Sequence, residues 1–158
     1  MSYELSVVRD PEPVNPREEY EQVSILYCEH GRYQLGDVGA KEPEAKDVLA
    51  SLPLYLYDHS GITISTTPFS CQWDSGQVGR AYITHESAKA YGITEEEAEN
   101  VIRGEVEEYD CYLRGDIWGY EIVDTETEDG DVVASCYGFT DEEECRMEGE
   151  QEAQAFEE

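Results

Sequence analysis

Apolar and polar positions alternate in short runs along most of this chain, and one long stretch repeats at helical spacing. Residues 23–28, Val-Ser-Ile-Leu-Tyr-Cys, are β-branched and aromatic and predict a strand. Residues 54–57 and 62–65 flank Asp58-His59-Ser60-Gly61, a hairpin signal in which Gly61 can supply a positive φ. Residues 78–83 predict a further strand. Thr84 then caps a short helix that reaches Tyr91 and ends at Gly92. Thr94-Glu-Glu-Glu97 is a capping box, with Ile93 and Ala98 at the hydrophobic-staple positions around it. It opens a helix whose stripe is Ala98, Val101, Ile102, Val106, Tyr109, Tyr112 and Leu113, and Gly115 closes that helix. Residues 117–123 and 132–137 bracket Glu128-Asp129-Gly130-Asp131, a second hairpin signal. The sum is an α+β domain: an antiparallel sheet of five or six strands with one main helix packed on a face.

Composition changes that picture at the ends. Residues 1–22 hold Pro11, Pro13 and Pro16 among charges and predict an extended arm. Residues 140–158 predict an acidic tail. The expectation is therefore a single domain over 23–139 between disordered acidic termini.

Charge changes it more. Asp and Glu number 38 against 10 Lys and Arg, a net charge of −28, and only Lys41, Lys46 and Lys89 are lysines. Binding of nucleic acid through its phosphates needs clustered bases, and the seven arginines are scattered. Direct contact with nucleic acid or anionic lipid is excluded on that ground, and no apolar run approaches the ~20 residues of a membrane span. The start, Met-Ser-Tyr-Glu-Leu, lacks a basic segment leading into an apolar one. Five scattered cysteines without a C-x-x-C pair suit free thiols in a cytoplasmic protein. The partner implied is a basic protein surface, and no cofactor is implied.

The acids fall in blocks. Eight lie between Thr94 and Asp110 and fifteen between Glu121 and Glu158, whereas residues 53–83 hold only Asp58 and Asp74. Two physical readings follow. A helix bearing Glu95, Glu96, Glu99, Glu107, Glu108 and Asp110 can approximate the charge density of duplex DNA, about one negative charge per 1.7 Å, and fill a DNA-binding protein's groove. Alternatively, the acids hydrate a protein of a salt-loving host, since molar salt screens repulsion beyond ~3 Å. Scarcity of Lys beside more plentiful Arg fits the second, and the two are compatible.

The neutral middle, residues 57–79, offers a rival chemistry. Asp58, His59, Cys71 and Asp74 stand among turn residues, with Ser60 and Ser70 beside them. Cys with His can form a thiolate nucleophile, and Asp, His and Cys can hold zinc, but neither set has motif spacing. Turn chemistry explains the same residues without a site. Cys28 and His30 could join such a site only by proximity in space. The aromatic residues Tyr109, Tyr112, Trp118 and Tyr120 are read as core and not as a base-stacking platform.

Residues 28–37, 52–61, 68–79, 103–120 and 135–139 resemble a family of small uncharacterised proteins carried by phages, prophages and plasmids, most specifically in Tyr57-Asp-His-Ser-Gly61 and Phe69-Ser-Cys-Gln-Trp-Asp-Ser-Gly-Gln-Val-Gly79. The resemblance spans residues 24–139 and implies a viral or mobile-element origin and one compact domain. That family carries no established activity, so no catalytic role transfers. The expected function is an accessory protein that binds a basic host surface, a DNA-mimic inhibitor of a DNA-handling or defence factor. The alternatives are a small enzyme or metal protein with its site in 57–79, and a virion component.

Overall fold

The computed structural model describes residues 2–71 and 73–157, so positions 1 and 158 of the expected termini and position 72 of the middle segment lie outside the described residues. The fold is α+β and antiparallel. It departs from the expected single sheet, because the strands form two sheets of three and four strands. The chain divides into two compact units, Asn15–Arg114 and the pair of segments Met1–Val14 and Gly115–Glu158.

In the central unit the sheet runs β2 (Ile25–Cys28), β5 (Ser75–Thr84), β3 (Val48–Asp58), β4 (Ile62–Ser65). The helices are α1 (Pro16–Glu19), α2 (His85–Tyr91) and α3 (Glu95–Arg114). Both expected helix starts form: the Thr84 hydroxyl accepts from Ser87 N at 3.0 Å, and Thr94 Oγ1 accepts from Glu97 N at 3.3 Å. The predicted stripe of α3 is the buried one, with Ala98, Ile102, Val106 and Tyr109 packed on Leu26, Leu54, Ile64, Ala81 and Ile83. Pro53 is tolerated inside the 11-residue β3 because β4 pairs only with residues 55–58, leaving β3 an edge at the proline. Gly79 is required where β5 meets β2, since a Cβ there would lie 1.7 Å from the Tyr27 carbonyl oxygen.

The discontinuous unit is a three-stranded sheet, β1 (Tyr3–Arg9), β6 (Trp118–Asp124) and β7 (Asp131–Phe139), covered by α4 (Glu142–Glu157). Here the structure corrects the reading of the termini. Residues 3–9 are a strand, because Tyr3, Leu5 and Val7 alternate onto one face and pair with β6 from Tyr3↔Asp124 to Arg9↔Trp118. The acidic tail is a helix because Cys145, Gly149 and Ala153, four apart, form a narrow small-residue face that seats it on the sheet. A Cβ at Gly149 would stand 2.7 Å from Leu5 Cδ1. The Tyr120 hydroxyl donates to Glu152 from beneath, a bond that raises the Tyr120 pKa ahead of burial. The hairpin expected between β6 and β7 forms, with Gly130 at φ +64°. Among the described residues, no helix is long and apolar enough to cross a membrane.

Candidate functional site

Two places bear on function: the acidic surfaces and the turn-rich middle segment. The middle segment does gather its candidate residues. Asp58, at the end of β3, donates its N–H to the Asp74 carbonyl at 2.8 Å, which draws the β3–β4 tip against the approach to β5. His59 Nδ1 lies 3.3 Å from Asp74 Oδ2, and the Cys71 thiol faces the same oxygen at 4.0 Å. The Ser75 hydroxyl donates to the Cys71 carbonyl. Asp58 turns its carboxylate the other way, accepting from the Tyr33 hydroxyl at 3.1 Å and pairing with Arg32 at 3.7 Å. A cleft of about 440 Å³ opens beside them, lined by Glu29, His30, Asp58, Trp73, Asp74 and Gln77. Trp73 is 96% exposed at its rim.

What this arrangement can do is narrower than the residue list suggests. Among the described residues, no three His, Cys, Asp or Glu side chains are placed to hold a metal ion together. Asp58, His59, Cys71 and Asp74 are therefore neighbours without being a ligand set. His30 reaches the cleft, but its Nδ1 accepts from Arg32 N and Tyr33 N at 3.1 and 3.2 Å and so helps fold its own turn. Burial first, then the Asp37 charge, pushes the half-buried Cys28 thiol up to about 12, which disfavours its thiolate form at neutral pH. His85 is exposed at the start of α2.

The acidic surface of α3 is also narrower than expected. Glu95, Glu96, Glu99 and Glu107 are exposed, and Glu108 and Asp110 are half-buried. Asp110 is a bracket: its Oδ1 accepts from Thr63 Oγ1 at 2.6 Å and Ile64 N at 2.9 Å, tying α3 to β4, and its Oδ2 takes Arg114 at 3.0 Å. Glu108 accepts from Gln22 at 3.4 Å. Arg103 and Arg114 stand on the same outward face and interrupt the row, and Arg103 reaches Asn100 at 3.2 Å. By contrast α4 exposes Glu142, Glu143, Glu144, Glu148, Glu150 and Glu157 with Arg146 as its one base.

Sequence reasoning missed a network of half-buried carboxylates around a buried arginine in the central unit. The Arg17 side chain, 1% exposed, forks onto both oxygens of Asp37 at 2.8 Å, and its Nη1 lies 3.6 Å from Glu105 Oε1. Glu105 in turn accepts from Val23 N, Ser24 N and Ser24 Oγ at 2.9, 2.8 and 2.5 Å. Glu105 sits among acids that read as surface charge, so only its place beside the buried stripe of α3 could have singled it out.

The aromatic residues behave as core, with Tyr109 and Tyr120 buried and Tyr112 and Trp118 half-buried. Against protein-family models, curated proteins and solved structures alike, the chain has no match.

Proposed function

We propose that this chain binds a basic protein surface, as an accessory protein of a virus or mobile element that occupies the groove a host DNA-handling or defence factor presents to DNA. The observation that carries the reading is the charge of the discontinuous unit. It holds three acids in its first stretch and sixteen in its second, nineteen in all, against Arg9 and Arg146 alone. Many of these stand on a helix whose opposite face is fixed to the sheet, so the charges are presented by a held framework and not by a loose tail. Such a surface steers a basic partner and releases its counterions as DNA does. High-salt hydration is a second use of the same carboxylates.

Pull-down from host lysate at native salt, followed by a DNA-displacement assay on what is captured, tests the reading. Expected is a DNA-binding protein that the chain removes from duplex DNA, with affinity that falls as salt rises. Recovery of no DNA-binding protein counts against it.

The approach of His59 and Cys71 to Asp74 supports a second reading, a small enzyme with its site at residues 57–79; its metal-protein form has no ligand set among the described residues behind it. Zinc titration in reducing buffer decides the metal form: absence of stoichiometric binding removes it.

A further inference from the structure

The outer edge of β7 is out of keeping with the unit that carries it. From Val132 to Thr140 there is no charged residue, the longest uncharged run in a unit with nineteen acids. Among the described residues, that run lies on a strand paired with β6 on one side and with no strand on the other. Val132, Val133 and Tyr137 are 52, 40 and 38% exposed, and Cys136 is exposed as well. The register irregularities of the β6–β7 ladder fall near its ends, which leaves residues 134–137 in regular pairing with 119–122. Folded proteins guard open edges with charge, proline or a bulge at the centre, and neither a salt-adapted coat nor a DNA-like ridge explains leaving this one bare.

Its surroundings say what fits. Glu126, Glu128, Asp129 and Asp131 stand before the run and Asp141, Glu142, Glu143 and Glu144 after it. We infer that the β7 edge accepts an extended segment of a partner protein, uncharged at its centre and carrying Lys or Arg at both ends, as an added strand. Backbone pairing along about 30 Å of β7 supplies affinity, at ~3.4 Å per residue, and the two acidic clusters select the flanks. A second copy of this chain fits worse. Antiparallel pairing of two β7 strands would set Asp131 and its neighbours against Asp141–Glu144 of the other copy, acid facing acid. The inference rests on the basic-partner reading and makes that partner a strand.

The probe is a synthetic nine-residue peptide with a Val-Thr-Val-Thr-Val centre and two lysines at each end, compared with its glutamate-ended twin. Hydrogen exchange on the full chain reads the site. Expected is slowed exchange at residues 134–137 with the lysine peptide and not with the glutamate one, and binding about tenfold weaker in Val133→Lys through like-charge repulsion. Ser135→Pro, which removes a backbone donor from the middle of β7, should also lose it; Val133→Lys keeps the test open should the proline variant not fold. Lysine-peptide binding that leaves residues 134–137 unprotected and survives in Val133→Lys, but is lost on replacing Glu142, Glu143 and Glu144 with Gln, overturns the edge site and leaves the basic-partner reading standing. Binding of neither peptide overturns the edge site, and the lysate experiment then judges the wider reading separately. Sedimentation showing a dimer that Val133→Lys dissolves would make the occupant a second copy, and the inferred partner would be wrong.

Discussion

The two units use carboxylates in opposite ways. In the central unit, nineteen acids are balanced in part by eight bases, and several acids work inside the fold: Glu105 and Asp37 hold Arg17 and backbone amides, and Asp110 holds the start of β4. In the discontinuous unit the acids have two bases beside them and lie mostly outside a small core of Tyr120, Ile122 and Cys145. A net charge of −28 is therefore not one property. Part of it is construction, where a carboxylate accepts two or three hydrogen bonds and its removal strands buried donors. Part is surface, where one charge among many contributes little to stability and its value lies in what it attracts.

The strongest way to break the comparison is Arg17→Ala. It leaves Asp37 and Glu105 without their buried cation, and the expected loss is about 3–5 kcal/mol, read as a lower urea midpoint. A midpoint unchanged within error would mean that the network is ornamental. Ile122→Ala, at a position with no exposure in the other unit, should cost about 2–4 kcal/mol. Hydrogen exchange should then quicken in β1, β6 and α4 before it does in β3 and β5, and uniform quickening would refute separate cores. Glu105→Gln should cost about 1–3 kcal/mol by weakening three accepted bonds, whereas Glu143→Gln on α4 should stay within about 0.5 kcal/mol. Equal costs would erase the distinction between construction and surface.

A finer test uses the thiols. The folded-state pKa of Cys28 is raised from an ordinary 9.0 to about 12, so its protonated form is the one the fold favours. The stability it contributes is complete below pH 9 and is lost as pH rises from 9 to 12, because the unfolded chain ionises first. Tyr82 and Tyr109, also raised mainly by burial, steepen the same decline. Cys28→Ala should flatten the fall in the urea midpoint between pH 8 and pH 10.5. Exposed Cys136 should react with a disulfide reagent at pH 8 well before Cys28, and a reversed order would contradict the burial described.

What could be read from the sequence was local. The capping box at Thr94, the stripe from Ala98 to Tyr109, the turn at Gly61 and the turn at Gly130 are each written within a few residues, and all four formed. What could not be read was non-local or disguised. Nothing within residues 1–22 announces a pairing partner more than a hundred positions away, and three prolines nearby hid the alternation of Tyr3, Leu5 and Val7. In the last helix the packing face is made of small residues, and acidic composition outweighed the four-residue spacing of Cys145, Gly149 and Ala153. The middle segment was readable as a group and not as a site. Its residues converge, but periodicity carries no information about whether Asp58 and Asp74 aim at one point.

The pairing of Arg9 with Trp118 has a consequence for how the protein is made. The first strand leaves the ribosome long before its neighbour exists, and the whole central unit is synthesised and can fold in the interval. Until residue 124 emerges, Leu5, Val7 and Val8 have no ladder to join, so the nascent chain carries an apolar, pairing-competent segment while the residues between β1 and β6 are made. The charges at Glu4, Asp10 and Glu12 flank that segment as gatekeepers, and a late-joining strand so guarded is one that can wait without sticking to its neighbours.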